Sequence, residues 1–240
     1  METQKLTGVM RKVLPLQYCG AVIVAAGTAS RMGGIDKVMA ELAGVPMIVR
    51  SVQAFQNCDA VKEIVVVTRE DLIVPVMHLC RDMEKVKAVV KGGDSRQESV
   101  QLGMNALSAG VKLVAVHDGA RPLVSQTVID RTIRAARTYG AAAPGIPVKD
   151  TIKLVQGGVV KETPDRKTLQ AVQTPQVFDF DLLRGALKKA SDTGAAVTDD
   201  CSAVEQMGMS VKIVEGEERN LKVTTPMDLK IAALYLEEEA

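Results

Sequence analysis

Two patterns of apolar positions alternate along most of the chain, one typical of buried strands and the other of amphipathic helices. Apolar runs without polar alternation predict strands that are buried on both faces, as in a parallel sheet, at 20–26, 63–68, 86–90, 111–117 and 141–146. Apolar residues spaced three and four apart predict the intervening helices at 46–57, 72–82, 95–107 and 126–139. Because strand and helix alternate with short connections, we expect an α/β fold with a doubly wound, mostly parallel, Rossmann-like sheet and right-handed crossovers.

The pattern changes after Pro147. Short strand-like segments at 151–155 and 159–162 flank a Gly-Gly pair, which predicts a β-hairpin with a glycine turn. A lone two-stranded hairpin is marginally stable in water. We therefore expect a protruding β-hairpin arm, at about 148–172, that lies against its own domain or against another copy of the chain.

The rest of the chain completes one domain. Predicted elements after the arm are helices at 180–189, 199–206 and 226–236 and a strand at 211–214. No segment has the length and composition of a linker between domains, so we expect a single domain at 19–240. Residues 1–18 form a short N-terminal extension, and no function is assigned to them.

Composition and charge exclude several classes of partner. The 240 residues carry 30 basic and 29 acidic side chains, and this balance lacks the basic surface that binds nucleic acids or anionic membranes. No apolar run approaches the roughly 18 residues of a membrane span, and the apolar stretch near the N-terminus is too short for a signal peptide. The 4 scattered cysteines form no C-x-x-C pair, which indicates reduced, buried thiols. We therefore expect a cytoplasmic protein that binds neither nucleic acid nor membrane.

The loop after the first strand is the first candidate for ligand binding. Residues 25–34 are rich in glycine and alanine, which lets backbone N–H groups approach a polyphosphate. The loop is not a Walker loop, because no lysine follows Gly33 or Gly34. It is not a dinucleotide fingerprint, because Ala29 stands where the second glycine is needed. An ordinary turn between a strand and a helix stays open as the alternative.

Charged side chains near this loop and after a later strand also suit an anionic ligand. Arg31 and Lys37 can hold a triphosphate, Arg through bidentate hydrogen bonds and Lys as a mobile point charge, although two basic loop residues are also common on ordinary surfaces. Asp118 ends the fourth predicted strand, where a carboxylate can bind Mg²⁺ together with substrate phosphates. His117 points to the other face of that strand, so we expect a packed histidine and not a base.

Seven segments, taken in order, resemble one known family. The first, at 25–33, has the form Ala-Ala-Gly-x-x-x-Arg-Met-Gly with a lysine shortly after it, as in nucleotidyltransferases that activate sugars and polyols. The others lie at 92–100, 116–122, 150–151, 174–176, 198–200 and 222–224. Any one segment is weakly specific, but in this order and spacing the set resembles the 2-C-methyl-D-erythritol 4-phosphate cytidylyltransferases from about residue 19 to the C-terminus.

The resemblance implies a fold of the nucleotide-diphospho-sugar transferase type and transfer of CMP from CTP to 2-C-methyl-D-erythritol 4-phosphate. It implies catalytic roles for Arg31, Lys37, Asp118 and Lys222, with Asp118 as the Mg²⁺ ligand. The implied CTP contacts are Ala25, Ala26, Gly27, Gly93, Asp94, Ser99 and Gly119, and the implied acceptor contacts are Arg121, Thr151, Arg166, Thr174 and Thr198. In this family the arm embraces a second subunit, so the resemblance also implies a homodimer in which Thr151 and Arg166 act in trans.

A phosphate acceptor simplifies the expected mechanism. The second pKa of a phosphate monoester is about 6, so the acceptor is largely dianionic and needs no general base. Catalysis then consists of in-line alignment and neutralisation of the charge on the α-phosphate and pyrophosphate, which we assign to Arg31 and Lys37. Two alternatives stay open: transfer to another polyol phosphate such as ribitol 5-phosphate, and a regulator that binds CTP without releasing pyrophosphate.

Overall fold

The computed structural model describes residues 18–27 and 37–238, with Lys37 described through its backbone only. Residues 1–17 of the N-terminal extension and the loop at 28–36, which includes Arg31, lie outside the described residues. The helices are α1 (Met47–Gln56), α2 (Ile73–Leu79), α3 (Arg96–Asn105), α4 (Gln126–Tyr139), α5 (Phe180–Thr193), α6 (Asp200–Glu205) and α7 (Pro226–Glu237). The strands are β1 (Cys19–Ala25), β2 (Glu41–Leu42), β3 (Val45–Pro46), β4 (Val61–Thr68), β5 (Val86–Lys91), β6 (Leu113–Asp118), β7 (Ala141–Pro147), β8 (Leu154–Gln156), β9 (Val159–Glu162), β10 (Gln170–Val172), β11 (Gln176–Asp179) and β12 (Lys212–Glu215).

A mixed, mostly parallel sheet of 8 strands forms the centre of the fold, in the order β10-β7-β11-β6-β1-β4-β5, with β12 also paired to β7. Strand β1 pairs in parallel with β4 and β6, and β4 pairs in parallel with β5. The predicted doubly wound α/β sheet is confirmed. The strands β10 and β11 run antiparallel, and β11 lies between β6 and β7. The sequence pattern does not predict these two strands, because each has only 3 or 4 residues and pairs with distant strands.

Apolar layers cover both faces of this sheet. Along β1, Ala21 and Ile23 belong to a layer that includes residues of α1, α2 and α4, whereas Val22 belongs to the opposite layer with residues of α3, α5 and α6. All three side chains are fully buried. Burial on both faces explains why the central strands are continuous apolar runs in the sequence. The result is a three-layer α/β/α architecture, and its open end lies at the carboxyl ends of the parallel strands.

The start of α3 is fixed by side chains that cap the helix. The hydroxyl of Ser95 accepts a hydrogen bond from the N–H of Glu98 at 3.1 Å. The carboxylate of Glu98 accepts from the N–H of Asp94 at 2.7 Å, one residue before the N-cap position. Ser95 and Glu98 therefore form a shifted version of a capping box. It holds the loop at 92–95 against the sheet, where the N–H of Gly92 donates to the carbonyl of Thr68 at the end of β4.

The predicted hairpin is formed by β8 and β9, which make a two-stranded sheet of their own. Its turn residues Gly157 and Gly158 have φ of +58° and +78°, a conformation that favours glycine and suits a tight hairpin. Every residue of the two strands is exposed. The strand β10, at Gln170–Val172, pairs with β7 in the main sheet, so the arm proper ends before residue 170 and not at 172.

The cysteines agree with the expectation from composition. All four cysteines are free and buried, and burial raises the pKa of the Cys19 thiol to about 12. Such thiols are protonated and unreactive at neutral pH. In the part of the chain that the structure describes, no helix combines the length and the apolar character that a bilayer crossing requires.

Candidate active site

A cleft of about 600 Å³ opens at the carboxyl ends of β1, β4, β5 and β6. Doubly wound sheets bind ligands at this edge, because loops that follow neighbouring parallel strands meet there. Of the residues that the sequence singles out, those that line the cleft are Ala25, Ala26, Gly27, Gly93, Asp94, Ser99, Asp118 and Lys222. The fold thus brings four separate stretches of the chain to one place.

Glycines let the loops that wall the cleft pack closely. A Cβ on Gly92 would lie 2.3 Å from the Cβ of Ala26, so any larger residue would push the loop after β5 away from the loop after β1. A Cβ on Gly93 would collide with the side chain of Glu98. The N–H of Gly93 donates to the hydroxyl of Ser99 at 3.1 Å. The wall of the cleft therefore depends on glycine at both positions, because the backbone there lies too close to neighbouring side chains to accommodate a Cβ.

Gly119 contributes to packing beneath the cleft and is absent from its lining. Its N–H donates to the carbonyl of Val24 at 2.9 Å. A Cβ at this position would lie 3.0 Å from the side chain of Ile48 and 3.1 Å from the Cβ of Ala25. Glycine therefore allows the turn after β6 to lie against the end of β1.

Three cations surround the carboxylate of Asp118 at the end of β6. The Nζ of Lys222 lies 2.7 Å from Oδ2 and the Nε of Arg121 lies 3.8 Å from the same oxygen, while the Nη2 of Arg96 lies 3.5 Å from Oδ1. Burial alone would raise the pKa of Asp118, but Lys222 and Arg96 outweigh burial and lower the pKa to about 2. Asp118 is therefore ionised at neutral pH, and its neighbours carry more positive charge than it balances.

The loop after β12 places Lys222 beside Asp118. The Nη1 of Arg121 donates to the carbonyl of Asn220 at 2.6 Å. The side-chain amide of Asn220 donates to the carbonyl of Thr174 at 2.9 Å. Asn220 is fully buried, so its hydrogen bonds are shielded from water. These contacts fix Asn220, two residues before Lys222, against the end of β6.

A chain of hydrogen bonds runs beneath the cleft through His117, which is fully buried against Phe55. The Nε2 of His117 lies 3.1 Å from the carbonyl of Arg121, and because a carbonyl can only accept, Nε2 carries the proton. Nδ1 then accepts from the hydroxyl of Thr174 at 3.0 Å, and that hydroxyl accepts from the N–H of Asp118 at 3.1 Å. Burial lowers the pKa of His117 to about 4. The prediction of a packed histidine is confirmed, and the hydroxyl of Thr174 is engaged below the cleft.

Three of the predicted acceptor contacts, Thr151, Arg166 and Thr198, are exposed and do not line the cleft. The Nη1 of Arg166 donates to the carbonyl of Lys149 at 2.6 Å, which closes the base of the arm. The N–H of Thr198 donates to the hydroxyl of Ser202 at 3.1 Å, at the start of α6. Within one chain, Thr151 and Arg166 are therefore separate from the cleft.

Sequence reasoning misses two charged residues of this site. Arg96, the first residue of α3, lines the cleft, and its Nη1 lies 2.8 Å from Oδ2 of Asp200. Asp200 is fully buried, and burial raises its pKa. Arg96 belongs to the segment at 92–100, so the sequence did contain a signal for it. Asp200 belongs to the segment at 198–200, but nothing in that segment indicates that its carboxylate is buried.

The residues present fit a Mg²⁺ ion that is shared with a substrate. Asp118 offers the hard oxygen donors that Mg²⁺ prefers, and Mg²⁺ commonly takes one or two protein carboxylates together with phosphate oxygens and waters. Within residues 18–27 and 37–238, no three His, Cys, Asp or Glu side chains lie close enough together to hold a metal ion by themselves. A Mg²⁺ ion at this site would therefore take its remaining ligands from phosphate oxygens and waters.

A doubly wound sheet with a cleft at the carboxyl ends of its parallel strands is the architecture of many nucleotide-binding enzymes. The model of one family within that class, described as IspD, 2-C-methyl-D-erythritol 4-phosphate cytidylyltransferase, matches residues 19–238. The chain belongs to this family.

Individual relatives agree with the family assignment. The 2-C-methyl-D-erythritol 4-phosphate cytidylyltransferase of Caldanaerobacter subterraneus is 44% identical over 225 residues, which covers 90% of this chain and 97% of the relative. The crystal structure of 4-diphosphocytidyl-2C-methyl-D-erythritol synthase from Anaerococcus prevotii superposes with a TM-score of 0.85 at 29% identity, over 92% of this chain and 99% of that one. The Thermus thermophilus cytidylyltransferase superposes with a TM-score of 0.76 at 32% identity, over 90% and 98%.

Proposed function

We propose that the chain transfers CMP from CTP to 2-C-methyl-D-erythritol 4-phosphate, giving 4-diphosphocytidyl-2-C-methyl-D-erythritol and pyrophosphate, a step in the synthesis of isoprenoid precursors. The observation that carries the proposal is the ionised Asp118, which lies among Arg96, Arg121 and Lys222 at the end of β6. Membership of the cytidylyltransferase family supplies the identity of the substrates. Another polyol phosphate, such as ribitol 5-phosphate, is not favoured as acceptor, because the relatives are named for 2-C-methyl-D-erythritol 4-phosphate.

The nucleotide is proposed to bind between the loops after β1 and β5. Backbone atoms at 25–27 and at Gly93 line this part of the cleft, together with Asp94 and Ser99. The Oγ of Ser99 already accepts from the N–H of Gly93, so the hydroxyl hydrogen is available for donation to a bound base or ribose. Gly119 supports this wall from below.

Mg²⁺ is proposed to bind to Asp118 together with the CTP phosphates. The bound ion would neutralise part of the negative charge on the triphosphate. The low pKa of Asp118 supports the proposal, because the carboxylate is ionised across the physiological pH range. With Mg²⁺ on Asp118, Lys222 would be available to contact the acceptor phosphate.

The acceptor is proposed to lie on the Arg121 and Lys222 side of Asp118. Its dianionic phosphate oxygen attacks the α-phosphorus in line, the bond from that phosphorus to the bridging oxygen of pyrophosphate breaks, and pyrophosphate leaves with the electron pair. No proton must be removed, which agrees with a buried His117 that is neutral at working pH. Thr198 is an exposed candidate for a further acceptor contact, whereas Thr174 would act by holding the N–H of Asp118. Arg31 and Lys37 are proposed to neutralise the charge that develops on the α-phosphate and pyrophosphate.

A homodimer through the β-arm is proposed to complete the site. The exposed apolar side chains of the hairpin, Leu154, Val155, Val159 and Val160, are between 50% and 62% exposed, which suits burial against a second copy. Thr151 and Arg166 would then contact the acceptor bound to the other subunit. Four unpaired, buried thiols support a reducing compartment such as the cytoplasm as the place of action.

Pyrophosphate release tests the proposed function directly. The purified chain is incubated with 2-C-methyl-D-erythritol 4-phosphate and Mg²⁺, and CTP is compared with ATP, UTP and GTP at equal concentration. We expect release with CTP far above that with the other nucleotides, and a lower rate when ribitol 5-phosphate replaces the acceptor. CTP binding without any pyrophosphate release would instead identify a regulator, and faster release with ribitol 5-phosphate would identify a different acceptor.

A further inference from the structure

The carboxylate of Asp200 is buried in the protein interior. It is linked to the cleft by its ion pair with Arg96, which lines the cleft. Asp200 is 0% exposed, and its Oδ2 lies 2.8 Å from the Nη1 of Arg96. Among the described residues, neither of its carboxylate oxygens has a hydrogen-bond partner of ordinary geometry. A charged group that is removed from water in this way usually costs stability, because the attraction of one ion pair seldom repays the lost hydration. Stability alone therefore gives no reason for an acid at this position.

The surroundings of Asp200 fix its position. The Oε1 of Gln176, on β11, accepts hydrogen bonds from the N–H groups of Asp200 and Cys201 at 3.1 Å each. The Nε2 of Gln176 donates to the carboxylate of Asp199 at 2.7 Å. Because β11 pairs with β6, these bonds tie the start of α6 to the strand that ends at Asp118. The carboxylate of Asp200 is thus held at a fixed distance from the site.

Arg96 connects this fixed carboxylate to Asp118. Its guanidinium faces Asp200 through Nη1 and Asp118 through Nη2, at 2.8 Å and 3.5 Å. Lys222 contacts the other oxygen of Asp118. A planar guanidinium can bridge two carboxylates in a defined geometry, which a lysine ammonium cannot reproduce. The order Asp200–Arg96–Asp118–Lys222 therefore runs from the interior to the cleft.

We propose that Asp200 is a positioning residue of the nucleotide site: it fixes Arg96, which holds Oδ1 of Asp118 while Lys222 holds Oδ2, so that the carboxylate is oriented before CTP and Mg²⁺ bind. The proposal rests on the proposed function, since it assigns Asp118 to the nucleotide site. It assigns Asp200 no contact with substrate. All of its effect on CTP passes through Arg96.

A double-mutant cycle on Asp200→Asn and Arg96→Met tests the proposal. The measurements are kcat and KM for CTP, the Kd for CTP by calorimetry, and the melting temperature. We expect Asp200→Asn to lower kcat/KM by about tenfold to a hundredfold, the range known for small misplacements of reacting groups, without lowering the melting temperature. The double variant should be no worse than Arg96→Met alone, because both changes break the same connection. Arg96→Lys, which keeps the charge but not the fork, should recover less than half of the lost kcat/KM.

Three outcomes would overturn the proposal. They are an unchanged kcat/KM in Asp200→Asn, losses that multiply in the double variant, and a lower melting temperature with normal turnover per folded molecule. Asp181→Asn is the matched control, because Asp181 forms an exposed ion pair with Arg184 on α5 and should change nothing. If the wild-type chain binds CTP but transfers nothing to the acceptor, the proposed function fails. The double-mutant cycle on the Kd for CTP then still decides whether Asp200 acts through Arg96.

Discussion

The Nζ of Lys222 lies 2.7 Å from Oδ2 of Asp118, although 104 residues separate the two positions in the chain. The contact forms because the loop after β12 is bound to the end of β6 through Arg121 and Asn220. This contact keeps the carboxylate of Asp118 ionised in the absence of a metal ion, and it places a positive charge next to the proposed phosphate site. The site is therefore organised for an anionic ligand before the ligand arrives, which reduces the reorganisation needed during the reaction.

Replacing Asp118 by Asn should reduce both activity and stability. The amide keeps the shape of the side chain but removes the charge that binds Mg²⁺ and balances three cations, so we expect kcat to fall at least about a hundredfold, the scale of one preorganised electrostatic contact. The lowered pKa of Asp118 implies a loss of unfolding free energy on the order of 2 kcal/mol at pH 7. Pyrophosphate release at several Mg²⁺ concentrations and urea unfolding measure the two effects. A wild-type kcat for Asp118→Asn at saturating Mg²⁺ would show that Asp118 has no role in the mechanism.

Thr174→Val tests the hydrogen-bond chain below the cleft. Valine has nearly the same shape, but it leaves the buried N–H of Asp118 and the Nδ1 of His117 without their partner. Each unsatisfied buried polar group costs about 1–3 kcal/mol, so with two such groups the free energy of unfolding in urea should fall by at least that amount. Thr174→Ser keeps the hydroxyl and is the control, with an expected loss of less than half as much. Equal losses in the two variants would show that packing of the methyl group matters more than the hydroxyl.

The buried His117 should make stability depend on pH between about 4 and 6.5. The folded protein holds His117 neutral down to about pH 4, whereas the unfolded chain protonates it near its ordinary value of 6.5. Stability is therefore fully present above pH 6.5 and is lost as the pH falls through this window, by about 2 kcal/mol between pH 7.5 and 5.0. Urea unfolding at the two pH values measures the loss. His117→Asn should show a smaller dependence than the wild type, and an identical dependence in both proteins would contradict the assignment.

Elements whose structure is determined by nearby residues were predicted more accurately than elements that depend on contacts with distant parts of the chain. Helix α4 was predicted with its observed ends, because Ser125 caps its start and Gly140, with φ of +81°, ends it. Strand β11 was missed, because its four residues gain their structure from pairing with β6 and β7. The cleft residues at 25–27, Gly93, Asp94, Ser99 and Asp118 belong to contiguous segments and were found, whereas Arg96 was missed. The burial of Asp200 arises from packing between α6, β11 and α3, which no local pattern encodes.

Arg31→Ala and Lys37→Ala should each lower the rate of transfer more than the affinity for CTP. Both side chains are assigned to charge that develops on the α-phosphate and pyrophosphate, so their loss should reduce kcat by about a hundredfold to a thousandfold. Steady-state kinetics with CTP as the varied substrate separates kcat from KM. Lys188→Ala is the control, because Lys188 forms an exposed pair with Asp192 on α5. A near-normal kcat in Arg31→Ala would refute the role given to this residue.

Subunit complementation can decide whether the β-arm acts in trans. If Arg166 serves the cleft of the other subunit, Arg166→Ala and Asp118→Asn place their defects in different sites of one dimer. Each mixed dimer then has one site with both defects and one intact site, so equal co-expression of the two inactive variants should restore about one quarter of wild-type activity.

A pair of changes within one cleft supplies the control for this experiment. Co-expression of Asp118→Asn with Lys37→Ala leaves one defect in every site of the mixed dimer, so no activity should return. The hairpin strands β8 and β9 make the result informative, because within the described part of one chain they are exposed and form a sheet only with each other. If the Arg166→Ala mixture stays as inactive as this control, Arg166 acts within its own chain or not at all, and the arm serves only to hold the subunits together.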